Sequence, residues 1–168
     1  MPGMPESPQD AFDIAVRVNG QTRTARIEAR THLADVLRQH WGLNGTRLGC
    51  EMGQCGACTV DLQGQSVRAC LTLAVQAHGC DVRTIEGMDQ DRVGRALQDA
   101  FVAHHAMQCG YCTAGMIISA RELLARDPAP DRAAIREHLS GQYCRCTGYE
   151  SIVDAVEAAA RVLREGAA

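Results

Sequence analysis

Cysteine is the residue type in this sequence that could most clearly do chemistry. The chain contains nine cysteines, and eight of them fall into two groups of four. An odd number argues against a simple disulfide framework. In a compartment that keeps thiols reduced, clustered cysteines are metal ligands first, because the thiolate is a good ligand for zinc and for iron-sulfur clusters. The cysteine count therefore predicts two metal sites.

The first cysteine set lies within a glycine-rich stretch, GCEMGQCGACTVDLQGQSVRAC. It consists of Cys50, Cys55, Cys58 and Cys70. The C-x4-C-x2-C opening, followed by a distant fourth cysteine, is the plant-type ferredoxin spacing. Gly49, Gly53 and Gly56 would let the loop curve tightly and direct its backbone N–H groups at sulfur. A zinc ribbon would need a second short knuckle, which is missing because Cys70 stands alone. The spacing predicts a 2Fe-2S cluster.

The second cysteine set consists of two close pairs. Cys109 and Cys112 lie in MQCGYCTAGM, and Cys144 and Cys146 lie in GQYCRCTGY. Each pair precedes a predicted helix, 113–126 or 151–164, and helix N-termini favour thiolates and anionic clusters. Spacing alone is equally compatible with zinc, and a lone C-x2-C could be a redox dithiol. The neighbouring first set favours a second 2Fe-2S cluster.

Other potential ligands have simpler interpretations. Cys80 belongs to neither set, and the strand-like residues after it predict a buried, inert thiol. His104 and His105 lie near Cys109, and a Rieske centre does use two histidines. Because both sets already contain four cysteines, we interpret the two histidines as a polar helix end.

The secondary-structure signals change at about residues 86–92. Before that point, Asn19-Gly20 and Gln63-Gly64 predict two hairpins. A helix with Thr31 as its N-cap and Gly42 as its stop lies between them. A loop spans 44–58, and 82–85 could add a strand. After residue 87 the pattern is helical at 93–105, 113–126, 131–139 and 151–164. The pattern therefore predicts an α+β fold with an all-helical second half.

Charge and hydropathy exclude several classes of partner. The formal net charge is -3 and the basic residues are scattered singly, so we expect no nucleic-acid binding. No apolar stretch approaches the ~20 residues that span a bilayer, and the N-terminus lacks the features of a secretory or twin-arginine signal. We therefore expect no membrane insertion and a cytoplasmic protein.

The motifs GCEMGQCGACTV, MQCGYCTAGMI and CRCTGY, in this order, resemble one family. They are similar to those of the small iron-sulfur subunit of the molybdenum hydroxylases, the group of xanthine dehydrogenase, aldehyde oxidoreductase, carbon monoxide dehydrogenase and N-heterocycle dehydrogenases. The resemblance covers residues 12–163. It implies a plant-ferredoxin-like β-grasp domain at 11–88 and an all-α four-helix domain at 89–168. Residues 1–10 contain three prolines and few apolar side chains, which predicts a mobile N-terminus. Ala114 and Gln142 depart from residues common in the family, and we expect an effect on local loop geometry only.

The resemblance also implies partners and a direction of electron flow. Electrons would pass from a molybdopterin, in its cytosine dinucleotide form, through the second cysteine set to the first set and then to FAD. Gln108 matches a glutamine that hydrogen-bonds the pterin, and Cys146 matches the ligand whose sulfur approaches the pterin amino group. The molybdopterin would lie on a large subunit and the FAD on a medium subunit, with a dimer of heterotrimers as the assembly. The reaction would be hydroxylation of an aromatic N-heterocycle, an aldehyde or a related substrate.

Two other functions remain open at this point. A free-standing ferredoxin-like electron carrier would need no partner chain, although a second cluster and a helical domain argue against it. A zinc-binding interaction module would use the same cysteines without redox chemistry. The chain has no nucleotide-binding fingerprint, so we expect the catalytic centre on other chains.

Overall fold

The computed structural model describes residues 11–166, and the expected mobile N-terminus at 1–10 lies outside the described residues. The fold is α+β, as predicted, with one mixed sheet in the first half of the chain and helices in the second half. The strands are β1 (Ala11–Val18), β2 (Gln21–Glu28), β3 (Thr59–Leu62), β4 (Gln65–Arg68) and β5 (Asp81–Arg83). The α-helices are α1 (Leu33–Asp35), α2 (Arg92–Ala103), α3 (Thr113–Arg126), α4 (Arg132–His138) and α5 (Glu150–Glu165). Short 3-10 helices span Ala74–Ala77, Ile85–Gln90 and Leu139–Gly141.

Two tight hairpins form where the sequence predicts them. Asn19 and Gly20 both adopt positive φ, as a type I′ turn requires, and Val18 pairs with Gln21 across the first turn. Gln63 and Gly64 repeat this geometry between β3 and β4. The second hairpin positions two cysteines, because one precedes β3 and the other follows β4.

The five strands lie in the order β2-β1-β5-β3-β4. The β1–β5 pair is parallel and the other three pairs are antiparallel. Alternate side chains of β1, such as Ile14, Val16 and Val18, are buried against the α1 region, where Leu33 and Leu37 are fully buried. This first hydrophobic core also contains Cys58 and Cys70, so two thiols of the first cysteine set are anchored in it.

The helix after the first hairpin differs from its prediction at the N-terminal end. Its N-cap is His32, whose Nδ1 accepts the Asp35 N–H, and not Thr31. The cause is long-range: His32 forms a β-bridge with Leu73 and the Thr31 carbonyl accepts the Ala74 N–H, so Thr31 is held outside the helix. Beyond α1 the chain continues as a π-helical turn, Val36–His40. Gly42 ends the helix with positive φ, as predicted.

The helices of the second half enclose a separate core. Their buried side chains include Leu97, Phe101, Met116 and Ile152, and Met88 of the preceding 3-10 helix joins them. The α4 helix begins as predicted, because the Asp131 side chain accepts the Ala134 N–H at 2.7 Å. Within residues 11–166, no helix combines the length and the apolar character needed to cross a membrane.

Candidate metal centres

The first cysteine set is assembled by a loop and a hairpin. Cys50 and Cys55 are partly exposed on the loop after the π-helical turn. Cys58 comes directly before β3 and Cys70 lies two residues after β4, so strand pairing brings these two together. The Ala69 N–H donates to the Cys58 carbonyl and extends the pairing. The set therefore has a partly exposed pair from the loop and a buried pair from the hairpin.

The loop of the first set curves tightly around its sulfur atoms. The Cys55 N–H donates to Cys50 Sγ at 3.3 Å. Gly53 and Gly56 adopt positive φ, the left-handed conformation that glycine reaches without strain. A Cβ built on Gly49 would lie only 2.9 Å from Cys55 Sγ. Glycine is needed at position 49 to give the sulfur room, and at positions 53 and 56 to turn the chain.

The second cysteine set is assembled at one end of α3. Cys112 is the N-cap residue of α3, and Cys109 precedes it across a turn at Gly110. The other pair comes from the loop that follows the Leu139–Gly141 turn. Cys144 and Cys146 lie six and four residues before α5, so this second pair precedes a helix, as predicted. Contacts within the loop, outside the first turn of α5, hold the two cysteines in place.

The sulfur atoms of both sets meet in pairs. Cys146 Sγ lies 3.5 Å from Cys109 Sγ, and the Cys112 and Cys144 thiols are close enough to shift each other's pKa. In the first set the Cys55 thiol shifts the pKa of Cys50, and the Cys70 thiol shifts that of Cys58. Weaker electrostatic interactions link the two pairs within each set. The structure thus groups the eight thiols into the same two sets of four as the spacing.

Paired thiols suit a two-iron cluster, in which each iron takes two protein ligands. Among residues 11–166, no three His, Cys, Asp or Glu side chains are arranged around the position of a single metal ion. The Thr113 hydroxyl, beside Cys112, is buried and has no hydrogen-bond partner among the described residues. An orphaned donor on the residue that follows a thiol ligand suits a bound group that has acceptor sulfur atoms. The residues present therefore fit a 2Fe-2S cluster at each set.

The thiol pKa values of the first set differ between its two pairs. The Cys55 and Met52 N–H groups lower the pKa of Cys50 to about 7. Burial, together with the adjacent Cys70 thiol, raises the pKa of Cys58 to about 11. Metal ligation requires the thiolate. A metal bound here would find Cys50 readily available as a thiolate near neutral pH, but it would have to displace the proton of Cys58.

The second set shows a similar contrast. The Tyr111 N–H and the Cys146 thiol lower the pKa of Cys109, whereas burial beside Cys144 raises the pKa of Cys112 to about 12. Burial would also raise the pKa of Cys144, but the hydroxyl and N–H of Thr147 outweigh burial and lower it. Cluster binding would therefore have to release protons from the thiols whose pKa is raised by burial, Cys58 in the first set and Cys112 in the second.

The two sets are connected by contacts that sequence reasoning missed. The Tyr143 N–H donates to the Cys55 carbonyl at 2.9 Å, and Tyr143 directly precedes Cys144. Gln142 is buried, and its amide group satisfies Gly56 O, Thr59 Oγ1 and an Arg68 N–H at 3.0–3.1 Å. The expectation that Gln142 affects only local loop geometry is therefore wrong, because its partners lie in the other half of the chain.

Further contacts hold the halves together near the sets. Arg68 Nη2 donates to the Gly141 carbonyl at 2.8 Å, and Tyr111 Oη donates to the Leu48 carbonyl at 2.6 Å. The Arg47 guanidinium lies 5.9 Å from the centre of the Tyr111 ring, within cation–π range. The Tyr111 contacts join the loop of the first set to a loop of the second set, and the Arg68 bond joins β4 to the turn before Cys144. No local sequence signal marks them.

The remaining candidate residues lie as follows. Gln108 is exposed beside Cys109, and Cys146 is exposed on the same rim. His104 ends α2 as its C-cap and His105 follows with positive φ, in line with a polar helix end. Cys80 is partly exposed, so the expected buried thiol is wrong. Its preceding turn, at Gly79, carries the side chain to the surface, near the carbonyls of Gln76 and His78.

Comparison with known proteins agrees with this geometry. A family model described as a 2Fe-2S binding domain matches residues 84–157. The nicotine 6-hydroxylase small subunit of Paenarthrobacter nicotinovorans is 51% identical over 150 residues, covering 89% of this chain and 90% of the relative. The caffeine dehydrogenase subunit gamma of Pseudomonas sp. (strain CBB1) is 45% identical, covering 86% of this chain and 88% of the relative.

A solved structure gives the same result. Quinoline 2-oxidoreductase from Pseudomonas putida 86 superposes with a TM-score of 0.87 at 52% identity, covering 94% of this chain and 98% of that chain. Because the superposition covers 94% of this chain, the similarity includes both the sheet half and the helical half of the fold. The chain therefore belongs to the family of small 2Fe-2S subunits of the molybdenum hydroxylases, and it is the iron-sulfur subunit of an oxidoreductase.

Proposed function

We propose that this chain carries two 2Fe-2S clusters and relays electrons from a molybdopterin centre on a large subunit to FAD on a medium subunit. Cys50, Cys55, Cys58 and Cys70 would hold one cluster. Cys109, Cys112, Cys144 and Cys146 would hold the other. A bound 2Fe-2S cluster supplies reversible one-electron chemistry. The observation that carries the proposal is the meeting of eight thiols in two separate sets of four, each set with two sulfur pairs.

A backbone hydrogen bond between the loops of the two sets supports a relay. A single hydrogen bond, from the Tyr143 N–H to the Cys55 carbonyl, connects a ligand of one set to the residue next to Cys144 of the other. Gln142 and Arg68 fix the surrounding loops, so the two sets are held at one spacing. A fixed spacing favours electron transfer because no conformational search precedes it.

Exposure within the second set supports a docking face for the large subunit. Cys109 and Cys146 are its exposed thiols, and exposed Gln108 adjoins them. In this arrangement Gln108 would hydrogen-bond the pterin, in its cytosine dinucleotide form, and Cys146 would approach the pterin amino group. The more exposed pair of the first set, Cys50 and Cys55, would face the FAD of the medium subunit.

The names of the relatives support a proposal for the substrate class. Nicotine, caffeine and quinoline, which name three of them, are all nitrogen heterocycles. Aldehyde oxidoreductases also match, at 41–45% identity. We therefore propose hydroxylation of an aromatic N-heterocycle, with an aldehyde as the second class. The assembly would be a dimer of heterotrimers in the cytoplasm.

The domain division is part of the same proposal. Residues 11–88 would form the ferredoxin-like β-grasp domain and 89–168 the four-helix domain. The separate hydrophobic cores, one with members from Ile14 to Val82 and one from Met88 to Ala160, support a division near this position.

The test is electron paramagnetic resonance of the reduced chain in complex with its partner chains. We expect two distinct 2Fe-2S signals. Cys112→Ser should remove the signal of the second set and leave that of the first, and Cys58→Ser should do the reverse. Loss of both signals in either variant, with the fold retained by circular dichroism, would contradict the partition of ligands.

Purification distinguishes the alternatives. A colourless chain with zinc and no iron would replace this proposal with a zinc-binding interaction module. A stable monomer that carries both signals but binds no large subunit would replace it with a free-standing electron carrier. Substrate-dependent reduction of both signals in the complex would exclude these two alternatives.

A further inference from the structure

The side chain of Thr147 makes a direct contact with a thiol of the second set. Thr147 Oγ1 lies 3.1 Å from Cys144 Sγ, and the Thr147 backbone N–H donates to the same sulfur at 3.4 Å. One sulfur thus receives two hydrogen bonds from one residue. The hydroxyl group is a side-chain donor, so it can be removed by substitution without changing the backbone.

A second contact restricts the directions in which the Thr147 hydroxyl proton can point. The Tyr149 N–H donates to Thr147 Oγ1 at 3.1 Å, which occupies an acceptor position on the oxygen. The hydroxyl proton is then free to point at sulfur. A hydroxyl that accepts one hydrogen bond becomes a better donor for another, because the chain of dipoles polarises cooperatively.

The chain adopts a strained turn to make these contacts. Gly148 and Tyr149 both have positive φ, and Tyr149 at φ 72° is a bulky residue in the left-handed region. Such strain persists only where the surrounding structure holds it in place. Here Tyr149 Oη accepts the Cys144 N–H at 2.9 Å, so the turn closes a ring of hydrogen bonds through Cys144, Thr147 and Tyr149.

This ring differs from the contacts of the first set. Cys50 Sγ accepts from backbone N–H groups of its own loop, Cys55 among them. A backbone donor is present whatever the side chain, whereas the Thr147 hydroxyl depends on residue identity. The second set therefore has a donor whose effect can be adjusted separately from its fold.

We infer that Thr147 is a positioning residue that raises the reduction potential of the second cluster through its hydroxyl hydrogen bond to Cys144. The inference rests on the proposed function, in which Cys144 is a cluster ligand. A hydrogen bond to a ligand sulfur stabilises the reduced, more negative cluster over the oxidised one. The effect favours electron arrival at the set nearer the molybdopterin.

The experiment is a redox titration of the intact complex, with each cluster followed by its own electron paramagnetic resonance signal. Thr147→Val keeps the branched shape and removes the hydroxyl, and Thr147→Ala removes it without crowding. Thr147→Ser keeps the hydroxyl and is the matched control. We expect the reduction equilibrium constant of the second cluster to fall about tenfold in the valine and alanine variants, or about 59 mV for one electron. The serine variant should titrate like the unsubstituted chain.

The first cluster acts as an internal reference, because its potential should not move in any variant. An unchanged potential of the second cluster in both hydroxyl-free variants would overturn the inference. Equal shifts in both clusters would also overturn it, since they would indicate a general disturbance. Loss of the second signal in both hydroxyl-free variants, with retention in the serine variant, would assign the hydroxyl to cluster retention instead. Absence of a second 2Fe-2S signal from the unsubstituted chain would refute the proposed function itself.

Discussion

Replacing Gly115 with alanine should force apart the two loops that carry the cysteine sets. Gly115 lies in the first turn of α3, three residues after Cys112. A Cβ on Gly115 would lie 2.4 Å from the Gly56 carbonyl oxygen and 3.1 Å from the Gln142 side-chain amide. The first obstacle is backbone of the first-set loop, so it cannot rotate away.

The magnitude follows from two opposing effects. Alanine is favoured over glycine in a helix by about 1 kcal/mol. Overpacking of a close contact costs about 1–3 kcal/mol, because the neighbouring elements must shift. The contact of 2.4 Å is far inside the roughly 3.5–4.0 Å optimum for nonbonded atoms, which places the cost at the upper end. We expect Gly115→Ala to reduce the free energy of unfolding by about 2 kcal/mol.

The assay is denaturant unfolding of the holo-chain, together with electron paramagnetic resonance of both clusters. Both signals should change shape in Gly115→Ala, because the contact joins the two sets. Gly64→Ala is the control: its φ of 85° gives backbone strain of about 1–2 kcal/mol, but no atom lies within 4 Å of its Cβ. The control should lose stability with unchanged signals. A Gly115→Ala chain with full stability and unchanged signals would refute the close packing of the loops.

Two further predictions concern the ion pairs between the sheet and the helices. Arg121 binds Asp61 of β3 and Asp91, both at 3.0 Å and largely buried. Asp91 keeps Arg83 as a second partner, so Arg121→Met leaves the Asp61 carboxylate without a cation and should cost about 3 kcal/mol of unfolding free energy. The exposed Arg30→Met should cost under about 1 kcal/mol in the same denaturant assay, and an equal loss in both variants would contradict the role of the buried pairs. Burial would raise the pKa of Asp91, but the Gly94 N–H and the guanidinium groups outweigh burial and lower it. Because the folded pKa is lowered, the Asp91 charge stabilises the fold above its unfolded pKa of about 3.9, and this contribution is lost as the pH falls through the folded value. Asp91→Asn keeps an N-cap, so thermal unfolding should show a stability deficit at pH 6 that narrows below about pH 4; a deficit independent of pH would contradict this.

Local chemistry explains the features that could be predicted from the sequence. Asn19-Gly20 and Gln63-Gly64 formed the expected turns, because positive φ at both central residues depends only on those residues. The first cysteine set was predicted because the C-x4-C-x2-C spacing of Cys50, Cys55 and Cys58 lies within one loop. The second set was less certain, because its two close pairs are separated by 31 residues and only the neighbouring first set favoured a cluster there. Asp131 capped its helix as predicted, since its partner lies three residues away.

Long-range contacts explain the features that could not. Thr31 had the right residue type for an N-cap, but the bridge between His32 and Leu73 decided the helix start. The role of Gln142 could not be predicted, because its partners Gly56, Thr59 and Arg68 lie 74 to 86 residues earlier in the chain. The ring through Thr147 and Tyr149 depends on a left-handed tyrosine, which no sequence pattern predicts.

Metal analysis combined with electron paramagnetic resonance tests the central claim most directly. The chain purified with its partner chains should contain about four iron atoms and about four acid-labile sulfides, and after reduction it should give two distinct 2Fe-2S signals. Zinc in place of iron, or a single 2Fe-2S signal with only half that iron, would contradict the assignment of two clusters to the two cysteine sets.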